Sequence, residues 1–66
     1  MKSYYLSNDH IVYEFNVDLK VVGVKEYHRI NKGGMTEHGS WIRSIDESRK
    51  IWAEYVRVGF KHTCMV

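Results

Sequence analysis

Residues Ser44 to Phe60 carry the clearest structural signal in the chain, an amphipathic helix with both ends marked. Ser44 followed by Glu47 makes a capping box, in which the hydroxyl accepts from an orphan backbone N–H and the carboxylate reaches back to the cap residue. Asp46 and Glu47 also put negative charge at the positive end of the helix. Ile45, Ile51, Trp52, Tyr55, Val56 and Phe60 fall near i, i+3, i+4 spacing and form one apolar stripe, while Arg49, Lys50, Ala53, Glu54 and Arg57 face away. Gly59 is the expected left-handed stop, with Phe60 placed to pack back on the last turn. The spacing predicts a helix from about Ile45 to Val58, and its single stripe needs one apolar surface to cover.

That surface has to come from the residues before it, which show the period of strands. Tyr4, Tyr5 and Leu6 lead into a turn at Ser7, Asn8 and Asp9, after which Ile11, Tyr13, Phe15 and Val17 alternate strictly with Val12, Glu14 and Asn16. Asp18 and its neighbours supply a second turn. Lys20 to Ile30 is then dense in Val and Tyr, with Gly23 inside, where a bulge or a close backbone approach is expected. Asn31 to Gly39, with Gly33, Gly34 and Gly39, is the one plausible linker, and Trp41 with Ile42 forms a short strand or staple before the cap. Phe60 to Val66 is short and apolar enough to make a short last edge strand. The fold class expected is α+β, a small three- to four-stranded antiparallel sheet packed against one C-terminal amphipathic helix, in a single domain over residues 1–66.

Sixty-six residues bound what such a domain does. A chain of this size buries only about 60% of the surface it exposes when unfolded, and a deep catalytic pocket is not expected. Hydrophobic residues make up 44% and aromatics 14%, which is enough for a core without staples. Cys64 is the only cysteine, so no intramolecular disulfide forms, which favours a reducing compartment. Met1 to Leu6 has one lysine and no apolar run of signal-peptide length, and no run of roughly eighteen apolar residues occurs anywhere. The expected location is therefore cytoplasmic, with no membrane partner.

Chemistry-bearing constellations are sparse. Of His10, His28, His38, His62 and Cys64, only His62 and Cys64 are close in sequence, and none of the usual zinc spacings is present, so neither metal nor cofactor is expected. A thiolate–imidazole pair on Cys64 would sit two residues from the end of the chain, a poor place to exclude water. Lys32-Gly33-Gly34 lacks the spacing of a phosphate loop. The chain is accordingly read as a non-enzyme.

The net charge is +2, unevenly spread: residues 1–28 sum to −1 and residues 29–66 to +3. Arg29, Lys32, Arg43, Arg49, Lys50, Arg57 and Lys61, interleaved with Tyr27, Trp41 and Tyr55, could meet phosphates and stack bases. A three-stranded sheet on one helix also resembles, in layout, the DNA-binding modules of phage integrase arm domains and of a class of plant transcription factors. Against that reading, Asp46, Glu47 and Glu54 share the basic helix face, and Asp46 with Lys50, and Lys50 with Glu54, are spaced as i, i+4 pairs of a solvated surface.

The stretch from Gly39 through Trp41, the Ser44 cap and the central Trp52 to Gly59-Phe60 resembles the tails of short cyanobacterial and cyanophage proteins of unknown function. From Ser44 onward it is also similar to the helix and last strand of a small phage inhibitor of host RNA polymerase, with a comparable cap, a Tyr55-Val56 pair and a Gly-Phe stop. Such an inhibitor relies on an acidic surface, whereas this helix is mixed in sign, so that target is not implied. The function expected is a small non-enzymatic regulator, phage-encoded, that docks on a host protein, because a domain of this size offers a face of roughly 800 Å² per partner and no room for a catalytic cleft as well. Partner contacts are expected from surplus aromatics and arginines, namely Tyr4, Tyr5, Tyr27, Arg29, Trp41 and Arg43, with Tyr13, Phe15, Trp52 and Tyr55 assigned to the core. Nucleic-acid binding ranks second, and a homodimer through an exposed edge strand third.

Overall fold

A computed structural model describes residues 2–30 and 33–63. The fold is α+β: five strands and one helix, in the order β1 (Lys2–Ser7), β2 (Ile11–Val17), β3 (Val21–Arg29), β4 (Met35–Ser44), α1 (Ile45–Arg57) and β5 (Lys61–Thr63). The strands form one antiparallel sheet in the order β4-β3-β2-β1-β5. The first four strands are a plain meander. The helix carries the chain from the β4 edge to the opposite edge, where β5 pairs with β1 through Leu6↔His62.

Short side-chain turns hold the meander in register. The Asn8 carboxamide oxygen accepts from the backbone N–H of His10 at 2.8 Å and of Ile11 at 2.7 Å, which closes the β1–β2 turn as an Asx motif. In the next turn the Asp18 carboxylate accepts from the Leu19 N–H at 2.8 Å, and the Asp18 N–H donates to the Val21 carbonyl at 3.0 Å. With Tyr4↔Phe15↔Val24↔Trp41 in one cross-strand row, the period of two sends Leu6, Tyr13, Phe15, Val22 and Val24 to the face that the helix covers. All five are buried, and Trp41, Ile45, Ile51, Trp52, Tyr55 and Phe60 pack on them. Tyr13 stacks on Tyr55 with ring centroids 4.2 Å apart, and Phe15 meets Trp52 edge-on at 5.1 Å. Burial, and then the neighbouring Tyr55 hydroxyl, push the Tyr13 phenol well above its ordinary value, so it remains neutral in the fold.

Both helix ends are built as their residues imply. The Ser44 hydroxyl accepts from the Glu47 N–H at 3.1 Å, and the Glu47 carboxylate accepts from the Ser44 N–H at 3.2 Å. These bonds hold the Glu47 carboxyl below its ordinary range, so whatever stability it adds is present above pH 4.5 and fades as the pH falls below it. At the other end Gly59 takes φ 111°, a conformation that L side chains rarely adopt, and the Phe60 N–H returns to the Tyr55 carbonyl at 3.0 Å. Ser44→Ala is expected to cost about 1 kcal/mol in a urea titration, because one N–H loses its acceptor.

Several details differ from the sequence pattern. Met35 to Gly39 belongs to the ten-residue β4 rather than to a linker. It is an edge strand, and from Met35 to His38 every residue is exposed, so nothing there obliges apolar residues to alternate. The register shift falls between Glu26 and Tyr27, with His38 as the extra residue of β4, and not at Gly23, where a side chain would meet nothing within 4 Å. Val56 is exposed and leaves the helix stripe, while Ser48, in the first turn, joins it, buried with its hydroxyl donating to the Ile45 carbonyl at 2.8 Å. Instead of the two i, i+4 pairs on the helix, Arg57 pairs with Glu54 one turn back at 2.5 Å. Cys64 and the rest of the expected Phe60–Val66 strand beyond Thr63 lie outside the described residues.

Candidate functional site: the uncovered sheet face

One helix covers one face of the sheet, and the other face carries no layer among the described residues. The same alternation that sends Tyr13 and Phe15 inward sends Tyr5, Val12, Glu14, Lys25, Tyr27 and Arg29 to this open side. Two cross-strand rows lie at its centre. One runs Thr63–Tyr5–Glu14–Lys25–Ser40, and the next runs Lys61–Ser7–Val12–Tyr27–Glu37.

Glu14 organises these rows. Its carboxylate accepts from the Tyr5 hydroxyl, directly across from it, at 3.0 Å, and from the Tyr27 hydroxyl, on the diagonal, at 3.2 Å. Val12 is fully buried although it points away from the helix, and Tyr27 beside it and Tyr5 on its diagonal are the neighbours large enough to close over it. Two amphipathic rings thus have their hydroxyls committed to one carboxylate. Beyond them the Lys25 ammonium sits 3.9 Å from the Glu37 carboxylate, and Ser3 donates to the Asn16 carboxamide at 2.6 Å. Ile42 is 69% exposed on the same side. Such a surface mixes apolar, hydroxyl and paired ionic groups.

The hydrogen bond to Glu14 and its negative charge push the Tyr5 phenol above its ordinary 10.0. For Tyr27, burial acts first and Glu14 second, in the same direction. Raised acids stabilise the fold in their neutral form, so this contribution is complete below pH 10 and disappears as the pH rises through the elevated values. Ultraviolet absorbance titration should show both tyrosines ionising later than free tyrosine, and Glu14→Gln should bring Tyr5 back towards 10.

The six expected contact residues are divided between two faces. Tyr5, Tyr27 and Arg29 share the open one, where Arg29 ends β3 beside a polar hollow that Asp9 and Lys61 also line. Tyr4, Trp41 and Arg43 lie on the helix side. Tyr4 meets Trp52 edge-on at 6.3 Å, and Trp41 is half-buried against the core. Arg43 donates to the Ile42 carbonyl at 2.9 Å and helps to hold Glu47 ionised. The residue that the sequence reading passed over is Glu14, whose only signal was its place on the polar side of a strictly alternating strand.

Other chemistry is thin. His28 stacks on His38 with centroids 3.9 Å apart, and the His28 ring nitrogen lies 2.5 Å from the Glu26 carboxylate. Among the described residues no group of three or more His, Cys, Asp or Glu is placed to hold a metal ion. No described helix is long and apolar enough to cross a membrane. Compared with protein-family models, curated proteins and solved structures, the chain matches none of them.

Proposed function

We propose that the chain is a small non-enzymatic regulator, phage-encoded, that acts by docking its uncovered sheet face on a host protein. The observation that supports this most is the pair Tyr5 and Tyr27 held on Glu14, because rings already fixed lose little rotamer freedom when a partner closes over them. Tyrosine and arginine are the usual anchors of protein interfaces, and Arg29 stands on the same face. Five strands about 4.8 Å apart and some six residues long give a face on the order of 500 Å². That is less than the roughly 800 Å² per partner of a standard interface, so affinity depends heavily on the anchors and on neighbouring edge residues such as Ile42.

The mixed sign of the surface counts against phosphates. Glu14 lies in the middle of the open face and Glu37 at its β4 edge, and on the helix Glu54 engages Arg57. The test is capture from native host lysate, split into nuclease-treated and untreated halves, with the wild type and an Arg49→Glu/Lys50→Glu variant. Capture of one protein that survives nuclease and the charge reversal is the expected result. Loss of capture on nuclease treatment would favour nucleic acid, the second reading, whose binding falls steeply with salt as counterions are released, and loss on the charge reversal alone would move the contact from the open face to the helix.

A further inference from the structure

On the opposite side of the sheet, residues of α1 and of the strands beneath it line an open cleft of about 420 Å³. Phe15, Val17 and Val22 form its floor, with Ile45 and Trp52 on the helix side and Tyr4 across from them. Apolar lining with a few polar groups, in a volume between about 300 and 1,000 Å³, is the usual form of a small-molecule site. The polar groups are few and specific. Arg49 lines the cleft, is exposed, and takes part in no ion pair among the described residues. Two further cations share this face and this end of the sheet, Lys2 opposite Val17 and Arg43 opposite Val22. Of the carboxylates on the adjoining helix turn, Glu47 is engaged by the Ser44 cap, which leaves Asp46.

We infer that this cleft binds a small aromatic carboxylate, its ring laid against the Tyr4–Trp52 pair and its carboxylate on the Arg49 guanidinium. The ring chemistry follows from the lining. Tyr4 and Phe15 both present themselves to Trp52 edge-on, at 86° and 70°, so a planar guest can join the cluster in the edge-to-face or offset geometry that aromatic groups prefer. The sign of the head group follows from Arg49, the one charged side chain among the residues that line the cleft, and the planar guanidinium fork matches a carboxylate in two-point contact. Tyr4 Oη and Trp52 Nε1 make no hydrogen bond to other described residues and add donors on the same walls. This site is independent of the open face, and the two stand or fall separately.

The test is a titration of the full chain with 2-naphthoate and, as the uncharged match, 2-naphthalenemethanol, followed by amide and indole proton–nitrogen shifts. Saturable shifts at the Trp52 indole and along residues 45–52 are expected, with a dissociation constant of about 1 mM or tighter for naphthoate. The alcohol should bind about tenfold more weakly, and Arg49→Gln, an exposed change whose spectrum also reports retention of the fold, should weaken naphthoate by about the same factor. Arg49→Lys should recover part of the loss. No shifts, equal affinity for acid and alcohol, insensitivity to Arg49→Gln, or shifts mapping to Tyr5 and Tyr27 would each overturn the assignment. So would ligand-free shifts of the cleft residues on raising the protein concentration, which would put a second copy in the cleft.

Discussion

Phe15→Ala is expected to abolish the cooperative melt and leave most of the chain unfolded at 25 °C. Phe15 is 3% exposed, lies between Tyr4 and Val24 in its cross-strand row, and meets Trp52 edge-on, so truncation removes contacts on both layers at once. Phe-to-Ala changes in packed cores cost about 3–5 kcal/mol, the transfer loss plus the cavity left behind. A core in a domain below about 70–80 residues supplies a total of the same order, about 3–5 kcal/mol, so one such loss consumes the whole margin. Circular dichroism on heating and in urea measures it. A drop of less than 1 kcal/mol would mean that the sheet and helix are not held by this cluster.

The second large effect concerns binding. Tyr27→Ala should weaken partner capture by about 2 kcal/mol, close to thirtyfold, because it removes an anchor, takes one donor from Glu14 and opens Val12 to water. Tyr27→Phe separates those contributions: the ring stays, the hydroxyl goes, and the expected loss is about 1 kcal/mol, the net worth of an ordinary hydrogen bond. Competition binding with the purified partner gives both numbers. If alanine and phenylalanine cost the same, the ring is not an anchor and the hydroxyl alone matters.

The helix was legible to within a residue at its C-terminal end because its signals are local: a hydroxyl and a carboxylate three residues apart, a stripe, a glycine stop. The meander was legible for the same reason, through strict alternation on β2 and side-chain turns at Asn8 and Asp18. The first half of β4 was not, since a strand exposed on both sides at an edge has no apolar period to display. The last edge strand was legible in kind, expected over Phe60–Val66 and found at Lys61–Thr63 on β1.

The candidate site was half visible. Of the six residues expected at a partner, Tyr5, Tyr27 and Arg29 share one face, but Tyr4 and Tyr5 are adjacent on a strand and must point to opposite faces, so the set of six could never have formed a single patch. Trp41 illustrates a different difficulty. Its ring lies over Gly39, where any Cβ would collide with it, so a surface-like Trp near a glycine is in fact an edge of the core. Glu14 gathers two hydroxyls only because the β1–β2 and β2–β3 registers bring Tyr5 and Tyr27 to it, and register between strands is not written in the residues of any one of them.

The central claim is that the partner sits on the open face, and site-specific photo-cross-linking tests it directly. A benzophenone side chain placed at Ser40, exposed in the row of Tyr5 and Glu14, should give one cross-linked protein adduct in the native host, while the same group at Ala53, exposed on the outer side of the helix, should give none. An adduct from Ala53 and none from Ser40 would contradict the assignment and move the docking surface to the helix.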